Sequence, residues 1–244
     1  MDELRRGRFV ARLATSDADV AAALRLRASV FADDRLHPQG DRFDRVCDHV
    51  LVEETGGGAL VCCFRMMPLA NGAEIDQSYS HQFYDLTRLS AFPGPAVELG
   101  RFCVAPDRLD PDILRIAWGA ITRYVDQSET ALLFGCASFD GTDAGPYSEP
   151  FAMLQARHLA PRRWLPRVKA PHVIRYGAGR RRMPNPREAL RRMPPLLRTY
   201  LAMGGWVSDH AVVDTAMNTL HVFTGVEIGL IPAARKRALR AVAG

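Results

Sequence analysis

The chain has 244 residues, and its 48% hydrophobic and 24% charged content excludes a disordered chain and predicts a packed core. No run approaches the roughly 18 apolar residues of a membrane span, and Met1-Asp2-Glu3-Leu4-Arg5-Arg6-Gly7-Arg8 has no apolar run after its charges, so no secretory signal is expected. Five cysteines without CxxC spacing exclude a disulfide frame and a cysteine metal site, and read as small buried residues in a reducing cytoplasm.

The formal charge is +5, with 32 Lys and Arg against 27 Asp and Glu, and the excess falls in Arg162-Arg163, Arg180-Arg181-Arg182, Arg191-Arg192 and Arg235-Lys236-Arg237. Such clusters either face solvent or meet an anionic partner, whether nucleic acid, a membrane surface or an acidic carrier protein.

Phe9, Ala11 and Leu13 alternate as in a strand. Ser16 then reads as the cap of a helix over 17–32, with Asp17 and Asp19 in its first turn. Val20, Leu24, Ala28 and Phe31 form its apolar stripe. Arg27 lies four residues before Phe31, so it either borders the core and reaches a pocket or snorkels at the surface. After a polar loop, Asp41, Asp44 and Asp48 are spaced three and four apart and would face one way on a helical turn. Crowded carboxylates ligate a hard cation, hold an ammonium or face solvent; the spacing is not that of a calcium loop, which ranks metal last.

Strands over 49–54 and 59–67 are predicted as a hairpin across Thr55-Gly56-Gly57-Gly58. Arg65 sits in the apolar run Val61-Cys62-Cys63-Phe64-Arg65-Met66-Met67, where a charge needs a partner. Glu98, Asp44 and Asp48 are the available acids.

Val97-Glu98-Leu99-Gly100-Arg101-Phe102-Cys103-Val104, between Pro93-Gly94-Pro95 and Ala105-Pro106, reads as the central strand. Residues three apart on a regular strand point to opposite faces, so Glu98 and Arg101 share a pocket only if the strand is irregular between them. Gly100 could supply a bulge there; otherwise the two are a plain ion pair on a half-exposed strand. Asp110 and Pro111 then cap and open a helix ending near Gln127, and 131–138 is an apolar strand buried on both sides. The helix start is a place for a phosphate. Its entry turn, Ala105-Pro106-Asp107-Arg108-Leu109-Asp110, has no glycine-rich cradle and serves a pyrophosphate poorly. Further on, helices are expected over 147–157 and 196–203 and strands over 170–176, 212–214 and 220–226, before a basic C-terminal helix that is either solvated or touches an anionic membrane.

Together, Arg27-x-x-x-Phe31, Asp44 and Asp48, Arg65, and Glu98-x-x-Arg101-Phe102-x-Val104 resemble the acyl-homoserine lactone synthases. They resemble more closely the ornithine lipid synthases, which move a fatty acyl group from acyl carrier protein to an amino acid. Cys47-Asp48-His49, Gly135-Cys136-Ala137-Ser138-Phe139, and Pro194-Pro195-Leu196-Leu197 with Tyr200-Leu201, Val213-Asp214 and Asn218-Thr219 behind it favour the second group. The chain departs from that pattern at Ser208-Asp209-His210, where Gly-Asp-Gly is expected, at Met217, where Phe is expected, and at His221, where an acid is expected.

The resemblance implies an α/β protein of the Gcn5-related N-acyltransferase (GNAT) type, three-layer α/β/α with a mixed, splayed sheet. A single domain is expected over 1–244, with its core over about 8–180 and a C-terminal extension from about 181. The implied reaction transfers a (3-hydroxy)fatty acyl group from acyl carrier protein to the α-amino group of L-ornithine, giving lyso-ornithine lipid. Glu98 and Arg101 would be catalytic; Arg27, Phe31, Asp44, Asp48, Arg65, Phe102 and Ser138 would bind substrate; Val104, Asp112 and Ile113 would receive the donor's phosphopantetheine. No metal or resident cofactor is expected, since the 4'-phosphopantetheine arrives on the carrier. The implied location is cytoplasmic, with or without peripheral contact at an anionic membrane, and without nucleic acid. The alternatives are an acyl-homoserine lactone synthase, an N-acyltransferase for another amino acid, and a non-catalytic binding module for anionic lipid or nucleic acid.

Overall fold

A computed structural model describes residues 1–37, 39–108, 110–176 and 183–244. Pro38, Leu109 and the Arg180-Arg181-Arg182 run lie outside the described residues. In chain order the elements are β1 (Leu4–Arg6), β2 (Phe9–Leu13), α1 (Asp17–Val30), α2 (Ala32–Leu36), β3 (Asp48–Glu54), β4 (Leu60–Leu69), β5 (Tyr84–Asp85) and β6 (Ala96–Val104). There follow α3 (Pro111–Gln127), β7 (Leu132–Asp140), α4 (Ser148–Arg157), β8 (Arg167–Val168), β9 (Val173–Arg175), α5 (Pro186–Arg192), α6 (Pro195–Ala202), β10 (Trp206–Asp214), β11 (Thr219–Glu227) and α7 (Ala233–Ala243). The chain forms two compact units.

The first unit comprises Met1–Pro68, Val97–Thr130 and Pro232–Gly244. Its strands run in the order β1-β2-β3-β4-β6. The first four pair antiparallel, with Leu4 opposite Ala11, Leu13 opposite Val50 and His49 opposite Arg65. The expected hairpin is there, and an unforeseen strand, β1, precedes it. Helix α1 starts where its cap predicts, with the Asp19 N–H donating to the Ser16 hydroxyl. It lays Ala23 against Leu51, Cys63 and Cys103. Helix α3 opens at Asp110 and Pro111 as expected and buries Ile113, Ile116, Ala117, Ala120 and Ile121. Helix α7 packs on α3, where Arg240 pairs bidentately with Asp126 and Arg123 donates to the Ala243 carbonyl.

The second unit comprises Leu69–Ala96 and Ala131–Ile231, with strand order β7-β11-β10-β9 and every one of these pairs antiparallel. Its core joins Phe139, Phe151, Leu154, Leu197, Val207 and Val222. Strand β10 is far longer than the 212–214 piece expected. Its register on β11 shifts between Val207 and Ala211, over the Ser208-Asp209-His210 segment that departs from the family pattern. The Ser208 hydroxyl fills that irregularity, donating to the His210 carbonyl at 2.7 Å and accepting the Phe223 N–H at 3.2 Å. Opposite Trp206 stands Gly225, where a Cβ would meet the indole ring at 2.4 Å. Among the described residues no helix is long and apolar enough to cross a membrane.

Candidate active site

In the first unit three arginines and three aspartates close a ring. Arg27 is 1% exposed, so its expected surface alternative is overturned. Its Nε and Nη2 donate to the two Asp34 oxygens at 2.8 and 3.1 Å, and its Nη1 donates to Asp44 Oδ1. Arg65 donates to Asp44 at 2.8 Å and to the two Asp41 oxygens at 2.7 and 3.0 Å. Arg101 completes the circuit, with Nε 3.3 Å from Asp34 Oδ1 and Nη2 3.5 Å from Asp41 Oδ2. Each charge meets two of opposite sign, the arrangement that makes buried ions tolerable.

Local structure sets this geometry. Asp41 caps the 3-10 turn Arg42–Arg45 by accepting the Phe43 N–H at 2.9 Å, and Asp44 reaches back to accept the Asp41 N–H at 2.8 Å. The same two carboxylates therefore fix the turn and grip the guanidiniums. Phe43 is buried beneath them, with Arg65 over its ring at 5.5 Å, and Arg101 lies 5.9 Å over Phe31. Burial by itself raises the Asp44 carboxyl, but Arg27 and Arg65 more than offset it and hold the group at about 2. Burial likewise opposes the charge on Arg27 and Arg65, and their aspartates raise both above the ordinary value.

Arg101 has φ +51, the left-handed region that a non-glycine residue enters at a cost. Strand β6 is irregular at Arg101, one residue after the glycine expected to supply a bulge. Gly100 lies beside the Arg65 side chain, where a Cβ would stand at an ordinary contact of 3.4 Å from Nε. Glu98 is 4% exposed. Burial above all pushes the Cys47 thiol up to about 12, with Arg65 pulling against it and the charges of Glu98, Asp44 and Asp41 adding to the rise. Phe102 stacks on Phe64 at 5.3 Å, and the Cys103 and Cys63 sulfurs lie 3.5 Å apart.

The structure separates Asp48 from Asp44. Asp48 opens β3 opposite Met66, whereas its neighbour His49 is opposite Arg65; side chains alternate along a strand, so Asp48 points to the other face. There it accepts the Tyr124 hydroxyl of α3 at 2.6 Å. The three acids do not face one way, because the helical turn ends at Arg45. Arg65 pairs with Asp44, one of its expected partners, and with Asp41, which was not expected.

At the start of α3 the Asp112 N–H donates to Asp110 Oδ1 at 2.9 Å and the Ile113 N–H to the Asp110 carbonyl at 3.1 Å. The Asp112 side chain takes Arg115, Ile113 is buried, and Val104 is half-buried at the end of β6. In the second unit Ser138 is exposed on β7, opposite His221. His221 is buried where an acid was expected, and burial drives its pKa down to about 3, so it stays neutral. The Tyr84 hydroxyl donates to its carbonyl at 2.8 Å and lies 3.2 Å from Nδ1.

Sequence reasoning missed Asp34 altogether and gave Asp41 no role of its own. Charge balance was the available signal, since three arginines drawn into apolar surroundings need more acid than Asp44 alone. Among the described residues no group of three His, Cys, Asp or Glu is placed to hold a metal ion.

Residues 24–119 match the model of the acetyltransferase (GNAT) domain. The chain is 35% identical over 226 residues to an L-ornithine N(alpha)-acyltransferase of Rhodobacter capsulatus, covering 86% of each. To the protein of the same description in Brucella abortus it is 32% identical over 238 residues, 89% of this chain and 83% of that one. Among solved structures it is similar to FeeM, an N-acyl amino acid synthase from uncultured soil microbes, with TM-score 0.50 and 12% identity over 97% of both chains. That likeness speaks for the fold, which is the α/β Gcn5-related N-acyltransferase fold. With a relative at 35% identity over most of both chains, this acyltransferase belongs to the L-ornithine N(alpha)-acyltransferase family.

Proposed function

We propose that the protein transfers a (3-hydroxy)fatty acyl group from acyl carrier protein to the α-amino group of L-ornithine, releasing the carrier thiol and forming lyso-ornithine lipid. The observation that carries the reading is Glu98, 4% exposed on β6, the strand that also gives Arg101 to the ring of arginines and aspartates, in a chain whose relatives are described as L-ornithine N(alpha)-acyltransferases. An amine attacks a thioester only as its neutral form, and an α-ammonium near its reference pKa of about 8 is mostly charged at pH 7. Glu98 takes the proton, directly or through one water. The nitrogen bonds to the acyl carbon, backbone N–H groups beside the Arg101 irregularity hold the developing oxyanion, and the carbon–sulfur bond breaks as the nitrogen's second proton passes to the leaving thiolate, while Glu98 releases the first to solvent.

Asp44, sealed between Arg27 and Arg65, positions those guanidiniums. Asp41 is the ring's most open member, its side chain 27% exposed, and it offers a carboxylate to an ornithine ammonium group. The ornithine carboxylate pairs with Arg65 or Arg101 in two-point fashion. Phe31 and Phe102 border the acyl path. The donor's single phosphate meets the opening of α3 near Val104, Asp112 and Ile113, taking over N–H groups that Asp110 now holds. A carrier is favoured over coenzyme A because 105–110 has no glycine cradle for a pyrophosphate. Peripheral contact with an anionic membrane belongs to the same reading, since the product is amphiphilic.

The test supplies purified protein with acyl carrier protein thioester and, in turn, ornithine, other amino acids and S-adenosylmethionine, and weighs the products. An N-acyl ornithine is expected; an acyl-homoserine lactone alone, or no thioester turnover with any acceptor, overturns the reading.

A further inference from the structure

We propose that the segment 25–46 of the first unit is the face on which the protein docks to an anionic lipid bilayer. Leu36 is 76% exposed, Val46 58% and Val30 37%. Of the large exposed apolar side chains described in the first unit, Leu114 alone lies elsewhere. Around them Arg25, Arg35, Arg42 and Arg45 are exposed.

The segment is not neutral outward, although its sequence is rich in acids. Asp34 is buried, Asp41 and Asp44 are half-buried, and all three are spent on Arg27, Arg65 and Arg101. The ring pairs the described carboxylates of this stretch with buried guanidiniums and leaves apolar tips among arginines. The tips also belong together: Leu36 follows Asp34 by two residues and Val46 follows Asp44 by two, and both carboxylates bond the same guanidinium. Phe43, buried with Arg42 at 4.8 Å over its ring, anchors the turn between them.

A lipid interface suits this chemistry. Leucine and valine tips enter the acyl boundary while arginines reach the phosphates of anionic headgroups. The basic C-terminal helix is less suited, because Arg240 is tied to Asp126 and Ala243 is buried on α3. The choice of a bilayer over an acidic protein rests on the proposed lipid product, which has to leave the site for a membrane.

The full chain is sedimented, without substrate, with vesicles of phosphatidylglycerol and phosphatidylethanolamine and with vesicles of phosphatidylcholine alone. Partition onto the anionic vesicles is expected to exceed that onto phosphatidylcholine by at least tenfold and to fall with salt. The double substitution Leu36→Glu with Val46→Glu, and separately Arg35→Ala with Arg42→Ala and Arg45→Ala, should each lower it tenfold or more, with melting temperature unchanged. Turnover of a water-soluble acyl thioester by both variants should stay within twofold of the parent. Equal partition onto the two vesicles, or anionic partition indifferent to these substitutions, overturns the proposal. So does loss of carrier-protein affinity in these variants with vesicle binding intact, which assigns the face to an acidic protein. Because binding is read without turnover, this outcome is separate from failure of the acyl-transfer reading.

Discussion

Glu98 and the ring residues make opposite predictions, although both carry buried charge. Glu98→Gln removes the proposed proton acceptor while keeping its shape. It should lower kcat by about 10²- to 10⁴-fold with little change in melting temperature, and near-normal turnover in a thioester assay would eliminate Glu98 as the base. Asp34→Ala strips a partner from both Arg27 and Arg101 and leaves buried charge uncompensated. It should cost about 3–5 kcal/mol of stability, read from the urea midpoint. Acid acts through the same groups. Asp44 is held at about 2, below its unfolded value near 3.8, so its stabilising contribution is present above pH 3.8 and is lost as pH falls through 2. His221 titrates in a higher window. Its folded value of about 3 lies below the unfolded 6.5, so the unfolded chain gains a proton first and stability drops as pH falls from 6.5 toward 3. Between pH 7 and 5 this amounts to about 2 kcal/mol, and His221→Phe should abolish that part of the difference between urea midpoints at the two pH values.

At the scale of elements, the two turns that matter are built from side chains. The Arg42–Arg45 turn is held by Asp41 and Asp44, which also bind arginine, so helix capping and site geometry are one set of contacts. The break in β10 is held by Ser208, buried and bonded twice to the backbone. Where the resemblance led to an expectation of glycine, this chain has a hydroxyl. Next to it, Gly225 lies under the Trp206 ring, and the ring is walled by Phe223 at 6.0 Å. Gly225→Ala should therefore force the indole aside and destabilise the protein by about 1–3 kcal/mol, measurable in thermal unfolding, with loss of near-ultraviolet tryptophan dichroism.

For the whole molecule, the charge of +5 bears on encounter rather than on fold. If the donor is an acidic carrier, kcat/KM for acyl carrier protein should fall severalfold between about 0.05 and 0.5 M salt as screening shortens the reach of the arginines. The same titration with a small uncharged acyl thioester should be flat. A flat profile for the carrier as well would remove electrostatic steering from the account.

The sequence by itself determined the local elements that carry strong chemical signals. The Ser16 cap, the Asp110-Pro111 helix start, the glycine turn between β3 and β4 and the apolar β7 all stand near where they are read, because caps, proline and glycine act within a few residues. The family motif was legible too, as an ensemble of Arg27, Arg65, Glu98 and Arg101. Partners were not. Tertiary structure alone decided that Arg27 turns inward, that Asp34 and Asp41 rather than Asp48 complete its ring, and that Asp48 goes to Tyr124 on the opposite face. Asp48 stands in β3 rather than on the turn that carries Asp44, so strand alternation instead of helical spacing sets its face, and a charge's partner is fixed by which elements pack together, a long-range fact that no local spacing encodes.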